Sequence, residues 1–224
     1  MSQLIFDHNK FLDFHTHSMR HAEDNNVVEI ISVHLGQEKE PKYFTIGMHP
    51  WWTKAPVTPA QSEDLVKQLQ RKNCLAMGEM GLDNLKGAEM NQQMDILRSL
   101  LSIAEQQDKP VIIHCVRAFN QLIQIKKEFP GIKNWCVHGY GRHVTLAKQL
   151  IGQGFYLSLM PTMPINKYQE LVDTLPIERI FLETDSMAET DIVDIYSKVS
   201  ALLKMEVSDL CRQMNRNAKE FFRL

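Results

Sequence analysis

No stretch of this 224-residue chain is apolar enough, over enough residues, to cross a bilayer, and its opening MSQLIFDHNK carries no secretory signal. Both absences predict a cytoplasmic protein with no membrane partner. Cysteine is scarce: Cys74, Cys115, Cys136 and Cys211 lack Cys-x-x-Cys spacing, and three of them fall inside strand-like runs. They read as reduced, packed thiols. Charge of one sign is also missing. A net charge of −2 gives no basic field to draw nucleic acid, so any polyanion must be held locally. No Gly-rich phosphate loop or dinucleotide fingerprint follows a strand, and there is no repeat, low-complexity tract or long linker. What is present is ordinary for a soluble chain, 44% hydrophobic and 23% charged residues, and it predicts a single domain over 1–224.

Short apolar runs recur at Lys10–His15, Val27–His34, Tyr43–Met48, Cys74–Glu79, Pro110–Cys115, Asn134–His138, Phe155–Leu159 and Arg179–Thr184. Most are nearly unbroken and β-branched or aromatic, the pattern of parallel strands covered on both faces. From the third run on, helical segments separate them: Pro59–Lys72, Ala88–Gln107, Ala118–Glu128, His143–Gly152, Ile165–Thr174, Asp191–Leu203 and, last, Ser208–Phe222. Thr58, Pro59 and Gln61 form a capping-box start for the first. Eight strands with intervening helices predict an α/β fold, a TIM-like (β/α) barrel, over an open doubly wound sheet. The first two connections are too short for a full crossover, so the first two outer helices are shortened or missing. Either a loop or a second subunit then covers that flank, leaving monomer and homodimer both open.

His15-Thr16-His17 closes the first apolar run. Alternate residues of a strand share a face, so both imidazoles point one way, which is half of a metal site. Glu79, His114, His138 and Asp185 stand at the ends of later runs. In a barrel such ends converge on one mouth, where active sites are built. Six donors exceed the needs of one ion and suit two ions sharing a carboxylate. Glu79 is the natural bridge: one ion takes His15, His17, Glu79 and Asp185, the other Glu79, His114 and His138. His-rich ligation favours zinc or manganese, with magnesium still open. Asp185 is the candidate general base and orienting group, and Glu79 shares the catalytic assignment.

The motifs FLDFHTHS, TIGMHPWW, AMGEMGLD, KPVIIHC, CVHGYG, QGFYLSL, IFLETDS and NAKEFF, taken in order, resemble the TatD family of metal-dependent hydrolases, within the amidohydrolase-like barrels. The resemblance covers nearly the whole chain. It implies the barrel, a divalent-metal centre at the six positions named, and phosphodiester hydrolysis, often on DNA ends. The rim departs from the family at His138-Gly139-Tyr140-Gly141-Arg142, Cys115-Val116-Arg117 and Ser186-Met187-Ala188-Glu189. The expected function is therefore a TatD-like deoxyribonuclease or phosphodiesterase acting on DNA or a small phosphodiester. An amidohydrolase cleaving a small amide or lactone is the alternative, and a metal-binding scaffold a third.

Other residues carry two readings each. His49 either hydrogen-bonds a substrate phosphate or caps the turn before Pro50. Arg20, His21, Lys54, Arg117 and Arg142 follow strand ends and as a set could clamp an anion, with Arg117 and Arg142 the substrate-binding candidates. Trp51 and Trp52 are a base-stacking platform or plain loop packing. Glu183 is a partner of a ligand histidine or a carboxylate satisfied by backbone amides. Asp13 invites the same reading. Asp83 reads as a turn or cap residue, and His8, His34 and His143 as structural or exposed.

Overall fold

β-branched and aromatic runs become strands, and the amphipathic stretches between them become helices. The structure is a computed structural model that describes residues 6–224 apart from His8 and Ala22; the reading of His8 thus falls outside the described residues. The strands are β1 (Phe11–Thr16), β2 (Val27–His34), β3 (Phe44–Gly47), β4 (Cys74–Asp83), β5 (Val111–Val116), β6 (Trp135–Tyr140), β7 (Phe155–Leu159) and β8 (Ile180–Leu182). They lie in chain order in one sheet, with parallel pairings. The chain just after β8 returns to β1 through a parallel bridge between Asp185 and Thr16. That is the strand order of the predicted α/β barrel.

The helices are α1 (Pro59–Leu69), α2 (Met90–Gln106), α3 (Phe119–Glu128), α4 (Val144–Gly152), α5 (Ile165–Thr174), α6 (Ile192–Leu203) and α7 (Val207–Phe222). The capping box at Thr58 and Gln61 forms as read, with both reciprocal hydrogen bonds. Three strand ends differ from expectation by more than one residue, that of β6 by running to Tyr140 rather than His138. β4 continues four residues past Glu79, to Asp83, and β8 stops at Leu182, three residues short of Asp185.

The chain divides into two compact units, one of Met1–Ile31 with His138–Leu224, the other of Ser32–Val137. In the first, an aromatic cluster packs β1, β7 and β8 against α7. Phe14 stacks on Phe181 at 3.8 Å and meets Phe221 edge-on at 5.4 Å; Tyr156 completes the group. Burying such rings is worth about 1.5–3 kcal/mol each. In the second unit, β3, β4 and β5 approach closely because glycine stands at the contacts. A Cβ on Gly47 would lie 2.5 Å from the Glu79 carbonyl oxygen, and one on Gly81 only 1.9 Å from the His114 carbonyl oxygen.

Among the described residues no helix follows β1 or β2, as the short connections predicted. A loop covers the flank after β2. Pro41 is buried within it. Arg71 pairs with Glu40 at 2.6 Å and sits 5.1 Å above the Phe44 ring. The loop, β3 and the end of α1 line a cavity of about 460 Å³, yet Val33, Phe44 and Ile46 remain buried. No helix among the described residues is long and apolar enough to cross a membrane.

Gly81→Ala is expected to destabilise the protein by about 3 kcal/mol, since overpacking against backbone leaves no side chain free to yield. A urea melt with a midpoint unchanged from wild type would refute the close β4–β5 approach.

Candidate metal centre

In the first unit the backbone of Asp185 is clamped by β1. Its N–H donates to the His15 carbonyl at 2.9 Å, and its own carbonyl accepts from the His17 N–H at 3.2 Å and from the Thr16 hydroxyl at 3.2 Å. The residue takes a left-handed φ of 52°, a region Asp tolerates better than most residues. Its carboxylate is thereby delivered to the histidine pair: Oδ1 lies 3.3 Å from His17 Nε2 and 4.0 Å from His15 Nε2. His138, from β6, stacks its ring on His15 at 4.0 Å. Glu183 is fully buried; its Oε1 accepts the Gly139 N–H at 2.6 Å and lies 3.7 Å from His138 Nδ1. Both readings of Glu183 thus describe part of its surroundings.

In the second unit Glu79 is flanked by two imidazoles. Its Oε1 lies 3.0 Å from His49 Nε2 and 3.0 Å from His114 Nδ1. His49 makes the turn contact anticipated before Pro50, its Nδ1 accepting the Trp51 N–H at 3.1 Å, and is buried. Its other nitrogen faces Glu79 rather than the rim. Asp83 also does more than cap a turn. Its Oδ1 accepts the N–H groups of Leu85 and Lys86, while Oδ2 meets Trp51 Nε1 at 2.6 Å and His114 Nε2 at 3.0 Å. Burial pushes its carboxyl up, but the Trp51, His114 and Leu85 hydrogen bonds outweigh this and hold it below the ordinary range. This chain of contacts was missed in the sequence. Its signal is the spacing: Glu79, Gly81 and Asp83 alternate along one strand and so share a face.

The remaining candidates are more dispersed. Arg117 and Arg142 are exposed, as is Lys54. Arg20 donates to the Thr190 carbonyl, and His21 Nε2 lies 3.6 Å from Asp191, so both tie down the loop before α6. Trp52 is 58% exposed, its ring 4.8 Å from His49 and 5.3 Å from His34, while Trp51 lies under the Lys86 ammonium at 4.0 Å. His143 caps α4 through Leu146 N–H. All four cysteines are buried, and burial pushes the Cys74 and Cys115 thiols up to about 12, as expected of inert packed thiols.

The donors fit a divalent ion. His15, His17 and Asp185 form one cluster, His138, Glu183 and Asp185 a second, and His49, Glu79 and His114 a third, each with ligand atoms within 4.8 Å of one another. Mixed imidazole and carboxylate donors on buried and half-buried residues are the chemistry that binds first-row transition ions.

Strand order, donor type and clustering define a metal-dependent hydrolase of the barrel class. A family model described as TatD related DNase matches residues 18–223. The chain belongs to the TatD family. An uncharacterized metal-dependent hydrolase of Methanocaldococcus jannaschii is 26% identical over 192 residues, covering 81% of this chain and 76% of that protein. Another from Escherichia coli, YjjV, is 25% identical over 171 residues, covering 74% of this chain and 65% of that protein. The crystal structure of YjjV aligns with a TM-score of 0.79 at 21% identity, covering 97% of this chain and 100% of that one. A TatD-family hydrolase from Entamoeba histolytica aligns at 0.78 and 16% identity, covering 95% and 98%. These structural likenesses show the barrel fold.

Asp13 supplies a pH signature. Burial pushes its carboxyl up to about 8, against the Thr184 hydrogen bonds. A carboxyl whose folded value is raised contributes stability that is present below its unfolded value, near 4, and lost as pH rises through about 8. In chelator, the melting temperature of Asp13→Asn minus that of wild type should therefore climb between pH 4 and pH 8. A difference flat with pH would show Asp13 to be ionised throughout.

Proposed function

We propose that the chain is a two-ion phosphodiesterase acting on DNA, working as one catalytic domain over 1–224. His15, His17, Glu79 and Asp185 hold one divalent ion and Glu79, His114 and His138 the other, zinc or manganese being the best match to the donors. The observation that carries this reading is the delivery of Asp185 to His17 at 3.3 Å in a chain of the TatD family. Ions bound there would polarise the phosphoryl oxygen and ease loss of a proton from the attacking water. Asp185 is the group that receives that proton. Its clamped backbone leaves the carboxylate little freedom to turn away, which is the positioning a general base needs. Glu79 supplies negative charge that His49 and His114 hold in place.

The exposed guanidinium groups of Arg117 and Arg142 suit contact with backbone phosphates, and Trp52 offers its open face to a base. A small phosphodiester would use the first without the second.

Single-stranded DNA incubated with the protein and manganese should be degraded, and Asp185→Asn should slow that by about 10²–10⁴-fold, the usual worth of a general base. Intact DNA alongside cleavage of small amides or lactones would replace the nuclease reading with the amidohydrolase one. Trp52→Ala should raise KM for DNA about tenfold and leave kcat near wild type, the loss of one stacking contact of about 1–3 kcal/mol. An unchanged KM would remove Trp52 from the substrate path.

A further inference from the structure

Two histidines flank one oxygen of Glu79, and the proton positions on both can be read from their other partners. His49 Nδ1 accepts the backbone N–H of Trp51. A neutral imidazole that accepts at one nitrogen carries its proton on the other, so His49 donates Nε2–H to Glu79 Oε1, 3.0 Å away. It has no lone pair left there for an ion. His114 is set the opposite way. Asp83 Oδ2 receives the indole N–H of Trp51, a group that only donates. Asp83 Oδ1 receives two backbone N–H groups. The carboxylate is thus an acceptor on every side, and His114 Nε2, 3.0 Å away, must carry a proton toward it. The lone pair of His114 then sits on Nδ1 and points at Glu79. Two lone pairs 3.0 Å apart repel unless a cation or a proton lies between them.

We propose that Asp83 and Trp51 are positioning residues that fix the tautomers of both histidines, making His114 Nδ1 an ion donor and His49 a hydrogen-bond donor to Glu79 rather than a third ligand. This rests on the assignment of Glu79 and His114 as ligands. Trp51 acts twice, through its indole N–H on Asp83 and its backbone N–H on His49. The loop after β3 is thereby coupled to the donor set of β4 and β5.

Asp83→Asn provides the test. Two backbone N–H groups hold the Oδ1 position, so the new amide NH₂ falls where Oδ2 stood and meets two other donors. His114 must turn its proton onto Nδ1 to accept at Nε2, which blocks the ion. Zinc affinity of the full chain, measured by competition with a chromophoric chelator, should fall about 10–100-fold. Nitrogen-15 NMR of histidine-labelled protein should show the His114 proton on Nε2 in zinc-loaded wild type and on Nδ1 in Asp83→Asn, a change that a merely structural role would not produce. Trp51→Phe removes the indole donor on Asp83 but keeps the backbone N–H to His49, and should weaken zinc binding by less than Asp83→Asn does; unchanged zinc binding would remove the indole from the proposal. Wild-type affinity in a folded Asp83→Asn variant, or an Nδ1 proton in zinc-loaded wild type, overturns the proposal. Should the variant fail to fold, the wild-type spectrum alone decides. Unchanged zinc binding by Glu79→Gln and His114→Asn would instead refute the ligand assignment itself, a distinct outcome.

Discussion

The seam between the end of β8 and β1 is the constraint from which the chemistry follows. Asp185 is held by its backbone. Its N–H and C=O are both engaged by the backbone on either side of Thr16, so the residue is placed to within a hydrogen bond's tolerance before its carboxylate meets anything. The left-handed backbone at Asp185 is a conformation that costs of order 1 kcal/mol for an ordinary residue and persists where surroundings over-determine it. Those surroundings are the paired backbone and, beneath it, the stacked rings of Phe14 and Phe181. Phe14 and His15 are neighbours on one strand and point to opposite faces. Packing on one face therefore aims the imidazole on the other.

Electrostatics explains why the acidic groups sit where they do. An ionised carboxylate taken out of water needs compensating donors or cations, or it takes up a proton instead. Asp83 has four donors around it and stays ionised. Asp13 has the Thr184 N–H and hydroxyl, too few against its complete burial, and is pushed up. Glu79 has imidazoles at 3.0 Å on two sides. A divalent ion is the strongest compensation available to such a group, and the free energy of its binding is then also folding free energy.

Local signals were legible and long-range ones were not. The capping box at Thr58 and Gln61 spans four residues and could be read directly. Val27–His34, Phe155–Leu159 and Ile165–Thr174 have bounds set by their own apolar patterns and match the structure. β4 was read short because Gly81-Leu82-Asp83 has the composition of a turn. Pairing of Gly81, Leu82 and Asp83 with His114, Cys115 and Val116 on β5 keeps those residues extended. β8 stops short of Glu183 and Thr184 because these turn from ladder pairing to side-chain hydrogen bonds: the Glu183 carboxylate accepts the Gly139 N–H, and the Thr184 N–H donates to the Asp13 carboxylate. Glu183 could be anticipated as a partner by its spacing from Asp185. The roles of Asp83 and His49 depend on Trp51, 32 residues from Asp83, and no periodicity reports a contact of that kind.

The thin flank and the donor set are separable in this architecture. Among the described residues no outer helix follows β1 or β2, and β2 and β3 carry none of the six proposed ligands. What the second unit keeps on that side is packing: Phe44 under the Arg71 guanidinium, and Arg71 in turn held by Glu40 and Gln68. A guanidinium stacked on a ring covers apolar surface while its charge stays wet. A short loop can therefore do locally what a crossover helix does elsewhere in the fold. The exception is the end of β3, where His49 and Trp51 reach Glu79 and Asp83. A loop that both replaces a wall and orients donors has less freedom to vary than one that does either, because a shift that repacks Trp51 also disturbs the N–H that His49 accepts and the carboxylate that faces His114.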